Sequence, residues 1–228
     1  MTSKVSLVGM TSPSAQTGCH TAEDLIAYAA RVSNPANQNN TKTSGKLLKY
    51  LIKENHWSPF EMVSVTMEIT TTRDISRQIL RHRSFSFQEF SQRYAEAESF
   101  TTKREARKQH PKNRQLSMKD EDPTRQAKAQ EVFNEMQAEV ARVAKDYYEM
   151  ALNQGIAKEQ ARALLPEGLT ETTLYMSGTL RSWIHYCDLR GSNGTQAEHM
   201  EIAQMAQSIL SQHFPSVISA MEELQNER

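Results

Sequence analysis

Hydrophobic and polar positions follow two rhythms along the chain. Val63, Val65, Met67 and Ile69 alternate with Ser64, Thr66, Glu68 and Thr70, a period of two that predicts a strand with one face buried. Lys4–Met10 reads as a short opening strand, and Leu169–Met176 as a third with imperfect alternation. Elsewhere the apolar positions recur at steps of three and four. Leu25, Ile26, Tyr28 and Ala29 follow Thr21, a candidate N-cap with Asp24 three residues on. Leu47, Leu48, Leu51 and Ile52 predict a helix ending near Asn55, after a 34–43 loop rich in Asn and Thr. Phe133, Met136, Val140, Val143, Tyr147 and Met150 predict one long helix from about Thr124 to Asn153. Shorter helices are expected over Ala157–Leu165, stopped by Pro166, and Thr179–Asp188, with a turn at 191–194. Thr195 is expected to cap a helix running to about Phe214, and Pro215 to open the last one. Pro59 is expected to force an extended turn within His56–Glu61.

Helices outnumber strands, yet the strands are well patterned, so the expected class is α+β with one sheet and a helical face. Its 228 residues suit one shared core, and residues 1–228 are read as a single domain. The exception is 103–123, charged and nearly free of large apolar side chains, which is expected to be a mobile surface loop. Charge changes little at first: 27 basic and 27 acidic residues cancel, leaving no global field to draw the chain to nucleic acid or membrane. No apolar run approaches a membrane span, the N-terminus lacks a signal pattern, and Cys19 and Cys187 are too few for a disulfide framework. A cytoplasmic setting is the expectation. The distribution of cations says more. No lysine falls between Lys53 and Lys103, where Arg73, Arg77, Arg81, Arg83 and Arg93 all stand. None follows Lys158, where Arg162, Arg181, Arg190 and Arg228 do. Arginine suits bidentate contacts to phosphate or carboxylate, so either an anionic ligand or structural ion pairs account for the bias.

From Arg73 to about Arg83 the chain reads as a helix with Ile75, Ile79 and Leu80 inward and Arg73, Arg77 and Arg81 stacked on one face, Gln78 beside them. Stacked guanidiniums repel, so an anion should compensate. His82 and Arg83 add charge at the C-terminal end, and Ser84–Tyr94 follows with hydroxyls, amides, one carboxylate and interleaved aromatics. That inventory fits a nucleotide. It also fits a basic helix on an acidic partner, with Phe85, Phe87 and Phe90 in the core.

The run Arg81-His-Arg-Ser-Phe-Ser-Phe-Gln-Glu-Phe-Ser-Gln-Arg-Tyr94 closely resembles the signature of flavin-dependent thymidylate synthases, departing only at Gln88, where Asn is usual. His56-Trp-Ser-Pro-Phe-Glu61, Arg162 before Leu-Leu-Pro166, and Thr179-Leu-Arg-Ser-Trp-Ile-His-Tyr-Cys-Asp-Leu-Arg190 resemble further blocks of that family. The resemblance thus spans at least His56 to Arg190.

It implies a mostly antiparallel twisted sheet, a homotetramer with shared active sites, and reductive methylation of dUMP with FAD, NADPH and 5,10-methylenetetrahydrofolate. Ser58, Arg81, His82, Arg83, Glu89, Thr179, Leu180, Arg181 and His185 are implied FAD contacts. Gln78, Arg81, Glu89, Ser91, Gln92, Arg93, Arg162 and Arg190 are implied dUMP contacts. Arg190 and Ser91 are the catalytic positions. The Arg190 guanidinium suits charge developing on the pyrimidine. Ser91, with no readable base beside it, is a binding hydroxyl rather than a nucleophile. Cys187 reads as a buried inert thiol, unlike the nucleophile of ordinary thymidylate synthases. His56 is a plausible wall of the site, while His20, His110, His199 and His213 read as surface or packing residues. No ligand spacing predicts a metal, and no Gly-x-Gly-x-x-Gly follows a strand, so FAD and NADPH would be held without a Rossmann fold. Two alternatives stand: a related uracil-modifying flavin enzyme, and an arginine–aromatic nucleic-acid module, which a balanced charge disfavours.

Overall fold

A computed structural model describes residues 3–97, 99–101, 104–192 and 194–226. Lys103, Asn193 and Arg228 lie outside the described residues. In chain order the elements are β1 (Lys4–Met10), α1 (Ala22–Ala30), α2 (Ser44–Lys53), β2 (Ser64–Thr72), α3 (Arg73–Ile79), β3 (Ser86–Glu89), β4 (Lys108–Gln109) and β5 (Ser117–Met118). Then come α4 (Pro123–Asn153), α5 (Lys158–Ala161), β6 (Glu171–Thr179), α6 (Leu180–Arg190), α7 (Ala197–His213) and α8 (Pro215–Asn226).

The alternating run forms β2, and its burial alternates as the sequence does: Val65, Met67 and Ile69 are shut away while Ser64 is exposed. β6 lies antiparallel along its whole length, with Met67 opposite Met176 and Ile69 opposite Leu174. β1 and β3 flank the pair to give the order β1-β2-β6-β3, every pairing antiparallel. The helical layer covers the apolar face. Trp183 of α6 is fully buried there, and its indole N–H donates to the Val65 carbonyl at 3.0 Å, so the polar handle of the ring is satisfied. Ile26, Leu48, Phe60, Ile202, Leu210 and Phe214 complete the same core. Thr21 and Asp24 form the expected capping box on α1. The buried Glu23 carboxylate accepts from the Val217 N–H at 2.9 Å, in the first turn of α8.

Several expectations need correction. α3 ends at Ile79, one turn early. Pro59 sits in a 3-10 turn over Ser58–Met62, where its missing N–H costs nothing. The 34–43 loop contains 3-10 turns at Pro35–Asn37 and Thr41–Thr43. The helix expected over 157–165 splits into α5 and a 3-10 turn, Arg162–Leu164. The residue before α7 is Gln196, not Thr195, and no side chain caps it. The charged segment is not structureless: β4 and β5 pair as a hairpin. Gln126, Gln130 and Gln137 on α4 grip the backbone of Arg104 and Ala106. α4 is as long as expected, and of the two placements its apolar stripe allowed, in the chain's own core or on a face between protomers, the first does not hold: the stripe is turned outward. Met136, Val140, Tyr147 and Met150 are exposed, whereas Gln137, Ala141, Ala144, Tyr148 and Ala151 face inward.

Candidate active site

α3 starts directly at the end of β2, and its first arginines find the anions their stacking demands. Arg73 is nearly buried, 3.7 Å from the Glu89 carboxylate at the end of β3. Ser76 and Thr172 donate to the same carboxylate at 2.7 and 3.1 Å. Arg77 makes two hydrogen bonds to Glu167, at 2.8 and 3.1 Å. Arg73, Arg77, Gln92, Glu159, Arg162 and Glu167 line a cavity of about 590 Å³. Gln92 is buried, and its amide nitrogen has no partner; a buried donor left open costs roughly 1–3 kcal/mol, which a ligand acceptor would recover. Ser91 takes part through its Oγ, which accepts from the Arg93 N–H at 3.4 Å, and Arg93 lies 3.4 Å from Glu159. No base approaches the Ser91 hydroxyl among the described contacts.

A second group gathers where the turn after α3 meets α6 and α7. Arg190 donates through Nε to His82 Nε2 at 3.0 Å, so that nitrogen is the bare one of the ring. Burial, and then the Arg190 charge, push the His82 pKa down. Tyr186 and His199 pack edge-on against His82, with ring centroids 5.0 and 6.0 Å away. His199 is fully buried, within 3.1 Å of the Tyr186 hydroxyl and 3.4 Å of Gln78 Oε1. Its pKa falls to about 4, by burial first and then by the Arg190 and His82 charges. Phe85 closes the group from the sheet side. It can do so only because residue 178 is glycine: a Cβ there would stand 2.4 Å from the Phe85 ring.

The third group lies at the start of α6. Thr179 caps the helix, accepting from the Ser182 N–H. Arg181 is paired with Glu61, and His185 packs edge-on against Trp57 at 4.6 Å. Burial and the Arg181 charge lower the His185 pKa, against Asp188. Ser182 Oγ donates to the Ser84 carbonyl at 3.3 Å, joining this group to the Arg81–Arg83 turn. Ser58, Arg81, Arg83 and Arg181 are exposed around it. A cationic rim beside an aromatic wall fits a phosphorylated cofactor with a flat ring system. Leu180 fits less simply: its side chain is in the core and its N–H donates to the Val63 carbonyl at 2.8 Å. His56 is exposed beside Tyr50.

The structure therefore brings Gln92, Arg93 and Arg162 together, and separately Gln78, His82 and Arg190. Gln78, His82 and Arg190 do not line the arginine cavity. Of the two readings left open for the 73–94 segment, the ion-paired helix is the one the contacts bear on, and it holds in part. Arg73 and Arg77 are ion-paired, and Phe85 and Phe87 pack on the core, while Phe90 is exposed. The polar groups beside them still converge. Sequence reasoning missed the links from His199 to Gln78 and Tyr186, and the Gln196–Glu198–Arg107 bonds behind them. No spacing rule joins a helix at 78 to one at 199. Cys187 is buried, and burial pushes its thiol up to about 12, which keeps it protonated and inert. Among the described residues no three His, Cys, Asp or Glu side chains gather as a metal site, and no helix is long and apolar enough to cross a membrane.

A four-stranded antiparallel sheet under helices, with a separate small hairpin, makes the molecule an α+β protein with an arginine-lined cavity. The chain belongs to the family of thymidylate synthase complementing proteins, whose model matches residues 16–216. It is 49% identical over 219 residues to a probable flavin-dependent thymidylate synthase of Paramecium bursaria Chlorella virus 1, covering 95% of this chain and 97% of that one. It is 53% identical over 200 residues to the flavin-dependent thymidylate synthase of Synechocystis sp., covering 88% and 89%. Among solved structures it is similar to the UMP/dUMP methylase PolB of Streptomyces cacaoi bound with 5-Br dUMP, with a TM-score of 0.80, 26% identity and coverage of 97% and 95%.

Proposed function

We propose that this chain is a flavin-dependent thymidylate synthase, methylating dUMP to dTMP with 5,10-methylenetetrahydrofolate as carbon donor and NADPH as reductant of its FAD. The observation that carries the reading is the arginine-walled cavity with the unpartnered Gln92 amide. Clustered guanidiniums and an open buried donor suit a phosphorylated ligand. The names of the relatives supply its class. Arg93, Arg162, Ser91 and Gln92 hold the nucleotide phosphate, and Gln78, Arg81 and Glu89 its remainder. Arg190, anchored through Nε to His82, keeps its two Nη groups for the pyrimidine edge, where they stabilise negative charge as the ring carbon becomes nucleophilic. With Cys187 protonated and buried, no thiol adduct forms. Ser58, Arg81, His82, Arg83, Glu89, Thr179, Arg181 and His185 hold FAD without a Rossmann fold, and Leu180, its side chain in the core and its N–H bound to Val63, anchors the start of α6 beneath them. When bound, FAD supplies the hydride that completes the methyl group.

The enzyme works in the cytoplasm as a homotetramer whose sites are shared. Two observations support the sharing: Gln78, His82 and Arg190 do not line the cavity that Gln92 and Arg162 line, and α4 exposes an apolar groove. Val140, Val143, Tyr147, Leu164 and Pro166 line that groove, and a second copy would cover it. Sedimentation at several concentrations tests this; a monomer at all of them overturns it.

The test of function is a visible spectrum. The expected result is a yellow protein whose flavin bands bleach on addition of NADPH, faster with dUMP present. A colourless protein that neither takes up FAD nor oxidises NADPH sinks the reading. The likeness to a UMP/dUMP methylase favours one further comparison, dUMP against UMP as substrate. Equal use of both would point to the broader uracil-modifying reading.

A further inference from the structure

Resting on the reading of Gln78 as a dUMP contact, we propose that Glu198 and His199 are positioning residues that fix which end of the Gln78 amide faces the nucleotide. The argument is one of hydrogen-bond direction. Glu198 is held by Arg107, which approaches it from the segment before β4. Its amide and arginine partners keep the carboxyl below the usual range in spite of burial, so it is ionised and can only accept. Gln196 Nε2 lies 3.0 Å from Glu198 and must donate. That turns Gln196 Oε1 toward Gln78, whose Nε2 donates to it at 2.8 Å. Gln78 Oε1 is then left facing His199 Nδ1 at 3.4 Å. An amide oxygen only accepts, so Nδ1 carries the ring proton. Nε2 is then bare and accepts from the Tyr186 hydroxyl at 3.1 Å.

The relay therefore runs one way, Tyr186 to His199 to Gln78 to Gln196 to Glu198. Gln78 Oε1 needs only the Nδ1 proton; burial and the neighbouring Arg190 and His82 charges keep His199 neutral at pH 7, which leaves Nε2 bare for the Tyr186 hydroxyl. Flipping the Gln78 amide would set its NH2 against the His199 N–H and its oxygen against the Gln196 oxygen. With the flip forbidden, Gln78 is half-buried and offers the nucleotide one amide hydrogen and one oxygen lone pair at fixed positions. A free glutamine would present either end. The negative charge at one end of the relay thus sets the recognition pattern at the other.

The test uses the whole protein and two readouts. Nitrogen-15 spectra of the histidine side chains report the His199 tautomer without any ligand, and calorimetric titration reports dUMP binding. The expected wild-type tautomer is Nδ1–H. In Glu198→Gln the terminal group can donate or accept, so the single tautomer should give way to a mixture and dUMP affinity fall about three- to tenfold. Gln196→Ala, which cuts the relay without touching the Glu198–Arg107 pair, should do the same and guards against a misfolded first variant. An Nε2–H tautomer in the wild type overturns the proposal, as does unchanged dUMP affinity in both folded variants. A wild-type protein that fails to bind dUMP sinks the functional reading instead, and the tautomer then judges the relay alone.

Discussion

The two halves of the proposed nucleotide set hold their arginines in opposite ways. Arg190 is tied to His82, and the buried rings of Tyr186 and His199 pack edge-on against that imidazole. Arg77 and Arg93 are paired instead with Glu167 and Glu159, in pairs about half exposed on both sides. Exposed pairs contribute about 0–1 kcal/mol each, so an arriving phosphate can take the guanidiniums from their glutamates at little cost. The enclosed half is rigid before any ligand arrives; the open half is loaded with replaceable partners. That difference fits a division of labour in which the enclosed half serves chemistry and the open half serves capture.

The sharpest way to break this division is Arg190→Ala. By analogy with the loss of a transition-state donor, kcat for dTMP formation should drop about 10²–10³-fold while dUMP affinity changes far less. A loss confined to affinity would move Arg190 to the capture half. Next is acidification, which should act on the enclosed half through His199 and His82, with His185 at the start of α6 shifting the same way. The His199 pKa lies near 4 in the folded chain against about 6.5 unfolded, so its burial as a neutral ring contributes fully above pH 6.5. That contribution is lost as pH falls through 4, on the order of 3 kcal/mol, with His82 adding in the same direction. Urea midpoints between pH 7.5 and 4.5 should fall accordingly, and His199→Gln should flatten the slope. Arg162→Ala is smaller and opposite in kind. One charge-assisted contact to phosphate is worth about 1.5–3 kcal/mol, so the dUMP dissociation constant should rise about ten- to hundredfold. At saturating dUMP, kcat should barely move.

How much of this was legible beforehand depended on whether the signal was local. β2, the α1 capping box and the length of α4 were readable because period and cap chemistry act within a few residues. The family was readable too, through the Arg81–Tyr94 signature. The orientation of α4 was not. Its apolar stripe reads equally as intrachain core or as a face between protomers; tertiary packing chose the alanine face for the core, and Gln126, Gln130 and Gln137, which look like a solvated edge, hold another segment's backbone. The same limit hid His199, whose partners come from α3 and α6, more than ten residues away at the nearest. It also hid the separation of the two halves. A motif lists which residues serve a site; only the fold says which wall each stands on.

The smallest expected effect tests the one departure from the signature. Gln88 sits on β3 opposite Tyr175, exposed, on the strand face opposite to Glu89, which the site uses. Within one chain it belongs to neither half, and shortening an exposed amide by one methylene should leave stability within about 0.5 kcal/mol. Gln88→Asn should therefore melt like the wild type and bind dUMP equally well. A fall in dUMP affinity beyond about threefold, with melting unchanged, would mean that this outer face of the sheet is completed by another copy. Position 88 would then read the ligand across the interface. The division between an enclosed and an open half would become a division between subunits, and the exposed groove on α4 the natural place to look for the contact that joins them.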